Sequence, residues 1–195
     1  MIGFLCKLTL KKLFENDIIK EEDMEVYEYG LTLLFGTLGK IIGFIIIGLL
    51  TGLLKEILVF IIFFSGLRLQ AGGYHAKSVL NCFLGSLAAM GIAIFIVKIL
   101  PVSYQSIFTL FSIIISILLV FLFSPLESEN KPLTGEEKLI YRKRSIVTVI
   151  IGSILVLFLA WKGGNSLHFA SIASMGFLLE SCTLLNFKQI AKHYY

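Results

Sequence analysis

Tyr104-Gln-Ser-Ile-Phe-Thr-Leu-Phe-Ser-Ile-Ile-Ile-Ser-Ile-Leu-Leu-Val-Phe-Leu-Phe123 runs for twenty residues without a charge. A helix rises about 1.5 Å per residue, so a run of this length matches the roughly 30 Å hydrocarbon core of a bilayer. The same reading extends along the chain in both directions. Val79 to Val97 is also uncharged, and Leu31 to Leu54 carries Lys40 alone. Ser145 to Trp161 and Ser166 to Phe187, the latter holding Glu180, are long enough to cross if their flanking residues snorkel. Ile57 to Leu67 is the short one, eleven apolar residues after Lys55 and Glu56. It reads as a short span, a tilted span that includes Leu49 to Leu54, or a re-entrant segment.

Composition supports the same class. Of 195 residues 57% are hydrophobic and 15% charged, with only 3 prolines, against roughly 45–50% and 25% in soluble domains. A disordered tail, a collagen-like chain and a soluble two-domain enzyme are excluded. The expected fold is an all-α polytopic membrane protein of about six transmembrane helices, forming a single domain over 1–195. Within it, 1–30 is an amphipathic and acidic N-terminal segment, 31–187 the transmembrane core and 188–195 a tail. No signal peptide is expected, because Met1 to Leu10 is short and interrupted by Lys7. At helical spacing Ile2, Cys6, Leu10 and Leu13 line one side and Lys7, Lys11 and Glu15 the other, as in a helix lying in the headgroup plane. Glu21 to Glu28 follows as an acidic, solvated stretch.

Lysine and arginine orient the spans, since cytoplasmic loops carry their excess. With six spans and both termini cytoplasmic, thirteen of the 17 fall inside: Lys7, Lys11, Lys12, Lys20, Arg68, Lys77, Lys131, Lys138, Arg142, Lys143, Arg144, Lys188 and Lys192. Lys55, Lys98 and Lys162 fall outside, and Lys40 lies within a span. Removing the short second crossing would weaken this asymmetry. The Gln70–Ser78 loop is therefore expected at the cytoplasmic interface.

That loop is the richest in chemistry: Arg68-Leu-Gln-Ala-Gly-Gly-Tyr-His-Ala-Lys-Ser78, then Val-Leu-Asn-Cys82. Polar, glycine-containing backbone between two apolar runs survives at membrane depth only where protein or water covers it. Gly72 and Gly73 permit positive φ and the close approach of another stretch of chain, and Ser78 is placed to cap a helix beginning at Val79. Cys82 then sits at the first turn, where the helix dipole with Lys77 and Arg68 nearby favours the thiolate. His75 is the one histidine near Cys82 in sequence. Seven residues of unbroken helix would hold the two α-carbons about 10 Å apart, so a His75–Cys82 pair requires His75 in the loop, folded back over the helix start, or a pairing between two subunits. The plainer alternative is an interfacial histidine and a small buried cysteine. Two such ligands do not make a zinc site, and no metal or cofactor is expected. Cys6 and Cys182 read as membrane-facing or packing residues.

Other charges have two readings each. Arg68 either snorkels at its segment's end or holds a carboxylate. Lys138, Arg142, Lys143 and Arg144 either set topology and touch anionic lipid or attract an acidic ligand. Lys40 and Glu180, charged within spans, could pair or line a wet cavity, and Glu180 could also snorkel. A transporter with Lys40 and Glu180 along its path, and a non-enzymatic membrane scaffold, are the competing function classes.

The run Arg68, Ala71-Gly72-Gly73, His75-Ala76 and Cys82 resembles the signature of the accessory gene regulator protein B (AgrB) family, bacterial membrane peptidases of peptide quorum sensing. The resemblance covers nearly the whole chain, and Ser124-Pro-Leu-Glu-Ser-Glu-Asn-Lys-Pro132 looks like that family's proline-bearing loop. It implies a cysteine endopeptidase with His75 and Cys82 as the catalytic pair. The implied substrate is an AgrD-type precursor peptide with an acidic C-terminal tail, cut between signal and tail through a Cys82 thioester and cyclised to a thiolactone or lactone. The oxyanion donors would come from backbone N–H groups at Gly72, Gly73 or the Val79 helix start, or from Gln70 or Asn81. Arg68 matches the family's arginine by position, and a homodimer is implied.

Overall fold

The computed structural model describes residues 2–16, 18–20, 23–73, 79–126 and 133–185. These form seven helices: α1 (Ile2–Glu15), α2 (Met24–Thr51), α3 (Leu54–Ala71), α4 (Val79–Ile99), α5 (Val102–Phe123), α6 (Gly135–Lys162) and α7 (Asn165–Thr183). Among the described residues the β structure is a single isolated bridge between Gly72 and Leu126. Four helices, α2, α4, α5 and α6, are long and apolar enough to cross a membrane, and the chain is a membrane protein. The chain divides into two compact units, Met1–Leu53 and Leu54–Tyr195.

In the first unit α1 packs on α2. Cys6 and Leu10, on the side expected to be apolar, are buried, while Lys7 and Lys11 are exposed. The apolar side of α1 is thus covered in part by protein. Cys6 Sγ lies 3.4 Å from Thr32 Oγ1 across the pair, so Cys6 is a packing residue. Helix α2 begins at Met24, earlier than the apolar run at Leu31. Glu25 stands in its first turn, where the positive end of the helix dipole favours an acid and lets the helix take up part of the acidic stretch.

The second unit is built around α7, which packs against α3, α4, α5 and α6. Its composition explains its central place. Ala170, Ser171, Ala173, Ser174 and Gly176 are all buried and small, and small residues let backbones approach closely. A Cβ at Gly176 would stand 3.1 Å from the Phe60 carbonyl oxygen, so α3 rests directly on α7 there. Phe177 fills the space left at Gly152 and meets Phe63 edge-on, with ring centroids 5.1 Å apart. Buried hydroxyls of α7 are satisfied within the helix: Ser181 Oγ donates to the Phe177 carbonyl at 2.8 Å and Ser171 Oγ to that of Leu167 at 3.0 Å.

Helix α3 is longer than its eleven-residue apolar run. It reaches Ala71, because Arg68 and Glu56 find partners on α7. Arg68 Nη1 is 3.0 Å from Glu180 Oε2, and Glu56 Oε1 is 3.7 Å from His168 Nε2. The members of each helix stand twelve positions apart, in the same order on both. The two helices therefore run parallel, pinned near both ends. Helix α6 likewise starts ten residues before the expected Ser145, on a capping box in which Thr134 and Glu137 bond reciprocally. That start makes the basic cluster helical.

Several expectations fall outside the described residues: His75, Lys77 and the Ser78 cap; Glu21 and Glu22; 127–132 of the proline-bearing loop; and the end of the last apolar run with the tail 188–195.

Candidate active site

Gly72 ends α3. Its N–H bonds the Arg68 carbonyl at 3.0 Å and its φ is 77°, the left-handed closure that terminates many helices. The turn is covered by the α5–α6 connection: Leu126 N–H donates to the Ala71 carbonyl at 2.9 Å, and a Cβ on Gly72 would collide with the Leu126 carbonyl. The close approach expected of the glycine pair is therefore made by Leu126.

Gly73 follows with φ 137° and lies against a buried polar knot. Glu180 is fully buried, with Oε2 on Arg68 and Oε1 accepting from Thr183 Oγ1 at 3.2 Å. Thr183 Oγ1 also lies 2.8 Å from the Glu180 carbonyl. The Arg68 guanidinium sits 5.8 Å above the Phe64 ring centre. A Cβ on Gly73 would come within 2.6 Å of Thr183 Oγ1 and 2.8 Å of Glu180 Oε1. Glycine is required here both for conformation and for space. Glu180 does not snorkel, and Arg68 spends its charge on a buried carboxylate.

Gly73→Ala is expected to cost about 2–4 kcal/mol, combining positive-φ strain with the intrusion into the Glu180–Thr183 contact. Chemical or thermal unfolding in detergent measures it, with Gly85→Ala, whose added Cβ meets nothing within 4 Å, as the matched control. Equal stability of the two variants would mean the knot yields freely.

Six residues after Gly73, α4 begins at Val79. Asn81 and Cys82 are its third and fourth residues, Asn81 exposed and Cys82 half-buried. Cys82 forms no disulfide among the described residues and stands at the helix start, as the spacing predicts. Helix α4 packs on α7 and touches α3, so the cysteine-bearing helix and the knot belong to one bundle. Cys182 is exposed near the end of α7 and likewise forms no disulfide among the described residues.

The basic cluster lies in the first ten residues of α6. Arg142 Nη2 donates to the Phe121 carbonyl at 3.2 Å, tying α6 to the end of α5. Lys143 and Arg144 line a groove with Gln70 of α3. The structure thus groups the candidates in three sets: Arg68, Gly72 and Gly73 with Glu180; Asn81 with Cys82; and Gln70 with Lys143 and Arg144. The role of Thr183 was not foreseen. Its only sequence signal is its position three residues after a charged residue in an apolar helix. Among the described residues no cluster of His, Cys, Asp and Glu could hold a metal.

Against known proteins, the family model "Accessory gene regulator B" matches residues 6–184. An AgrB-like protein of Listeria innocua is 32% identical over 166 residues, covering 80% of each chain. An AgrB-like protein of Clostridium perfringens strain SM101 is 34% identical over 181 residues, covering 83% of this chain and 81% of its own. No solved structure matches.

Proposed function

The chain belongs to the accessory gene regulator B family, and on that premise we propose that it is a membrane cysteine endopeptidase acting on an AgrD-type precursor in peptide quorum sensing. The observation that carries the proposal is the half-buried Cys82, in no disulfide, in the first turn of α4. At that position the helix dipole points its positive end toward an incoming carbonyl. His75 follows Gly73 by two residues in sequence, and the knot of Arg68, Glu180 and Thr183 fixes the point from which its loop departs.

In this reading His75 accepts the thiol proton, and the Cys82 sulfur attacks the scissile carbonyl between signal and tail. The oxyanion is held by backbone N–H groups at the start of α4 or by the Gly73 N–H, since that of Gly72 is taken by the Arg68 carbonyl, with Asn81 or Gln70 as side-chain donors. Collapse breaks the C–N bond. The tail's amine leaves with the proton carried by His75, and the signal peptide stays as a thioester on Cys82. A thiol or hydroxyl within the signal segment then attacks that thioester. This closes the ring and returns the Cys82 sulfur, and exclusion of water favours closure over hydrolysis. Arg68 acts by fixing the loop's origin. The positive field of Lys138, Arg142, Lys143 and Arg144 concentrates the acidic tail. In this reading the site lies at the cytoplasmic face of a six-span, single-domain protein with both termini inside, the topology that the lysine and arginine distribution favours, and the family resemblance implies a homodimer.

The test is covalent trapping. Purified protein in vesicles, incubated with precursor and quenched in acid, is expected to gain the mass of the precursor less its tail. The adduct should be lost to hydroxylamine and map to Cys82. Tail release with no such adduct at any time after mixing, or an adduct on Cys6 or Cys182, would remove the acyl-enzyme from the proposal.

A further inference from the structure

The end of α3 and the first turns of α6 border a groove of about 450 Å³ lined by Gln70, Ile140, Lys143, Arg144, Val147 and Thr148. That volume lies within the roughly 300–1,000 Å³ of small-molecule sites. Its chemistry is incomplete as it stands. Lys143 and Arg144 are exposed neighbours, and among the described residues neither is ion-paired. Adjacent like charges repel, and an anion between them relieves that repulsion. Among the described residues Gln70 Oε1 is buried without a hydrogen-bond partner, although buried amide oxygens are normally bonded. A ligand that completes the groove must bring negative charge and, beside it, a hydrogen-bond donor.

Depth and surroundings narrow the choice. Helix α6 has 28 residues, about 42 Å, which exceeds the hydrocarbon core by about two turns. Counting about 20 residues back from Trp161 reaches Arg142, so Lys143 and Arg144 stand at headgroup level. Beyond them Val147, Ile151 and Ile154 are exposed, the last two 63% each. Their spacing of four and three places them on one face of α6. The result is an apolar strip running from the groove toward the bilayer centre.

We propose that this groove binds an anionic phospholipid whose head group carries a free hydroxyl. The phosphate sits between Lys143 and Arg144, the hydroxyl donates to Gln70 Oε1, and an acyl chain lies along Val147, Ile151 and Ile154. An acidic peptide would satisfy the two cations, but it would leave the apolar strip without a role. Lipid here divides the basic cluster. Bound phosphate screens part of the charge of Lys143 and Arg144, so that with lipid in place the cluster's pull on an anionic peptide comes more from Lys138 and Arg142. Because Gln70 lies two residues before Gly72, bound lipid braces the end of α3 against α6. The binding itself does not depend on the proposed peptidase activity.

Native mass spectrometry of the full chain in detergent, titrated with phosphatidylglycerol, phosphatidic acid or phosphatidylcholine, reads this directly. Phosphatidylglycerol is expected to bind about tenfold or more tighter than phosphatidylcholine, in line with two cations near a phosphate. Lys143→Gln with Arg144→Gln should bring the two lipids together, whereas Lys162→Gln at the far end of α6 should change nothing. Gln70→Leu should lower phosphatidylglycerol to the level of phosphatidic acid, which lacks the glycerol hydroxyls. If the double variant is not recovered folded, Lys143→Gln alone should show a smaller loss in the same direction. Unchanged lipid selectivity in the glutamine variants overturns the proposal. So does a glutamate-rich peptide that binds wild type but not the variants while no lipid is retained, an outcome that gives the groove to a peptide.

Discussion

Cys82→Ala is expected to leave the bundle folded and to reduce tail release to background. The side chain is half-buried at a helix start, so losing one sulfur removes little packing, and alanine is the best helix former. Without the sulfur no thioester can form, and the remaining groups can only orient water. His75→Ala is a graded case, because a general base contributes about 10²–10⁴ in rate while a cysteine thiol is intrinsically nucleophilic even without its base. The expected order is therefore wild type, then His75→Ala lower by a factor in that range, then Cys82→Ala at background. Mass-resolved tail release from precursor reconstituted with each variant measures it, alongside circular dichroism to establish that each is folded. A wild-type rate in Cys82→Ala would exclude the nucleophile and bring forward a transporter or scaffold. Equal loss in both variants would instead mean that the thiolate never forms without His75.

The second large effect concerns the knot. Arg68→Met strands the fully buried Glu180 carboxyl and is expected to destabilise the second unit by about 3–5 kcal/mol, the cost of breaking one side of a buried pair. Replacing both partners, as Arg68→Met with Glu180→Leu, should recover most of that loss, since an apolar pair of similar volume is often neutral or stabilising in such sites. Stability and activity should then separate. The double variant folds, but the ion pair no longer anchors the turn at Gly73, so tail release should stay impaired while unfolding returns toward wild type. Denaturant unfolding in detergent for all four members of the cycle gives the coupling energy. A double variant as unstable as Arg68→Met would mean that packing around Phe64 and Thr183, and not the stranded charge, carries the loss.

Much of this architecture was legible because apolar run length is a one-dimensional property. The uncharged runs at 79–97 and 104–123 became α4 and α5 almost to the residue. Helix ends were less legible where polar residues continue a helix. The first turn of α2 admits Glu25, and the Thr134–Glu137 capping box starts α6 within a charged stretch. In the candidate site, the positive φ of Gly72 and Gly73 and the helix start at Val79 follow from residue type and spacing. The choice among readings for Arg68 and Glu180 does not, because each has a partner 112 positions away.

By itself, then, the sequence determined that the chain is helical and membrane-embedded, where its apolar helices run, and that a glycine turn precedes a helix bearing Cys82. These follow from local hydropathy and backbone preference. Tertiary structure alone decided that the serine-rich α7 is the centre of the second unit, that Glu180 belongs to Arg68, and that Gln70 shares a groove with Lys143 and Arg144. Each of these depends on which small residues let two backbones approach and on which buried charges can meet, and a contact between distant segments leaves no periodicity in the chain.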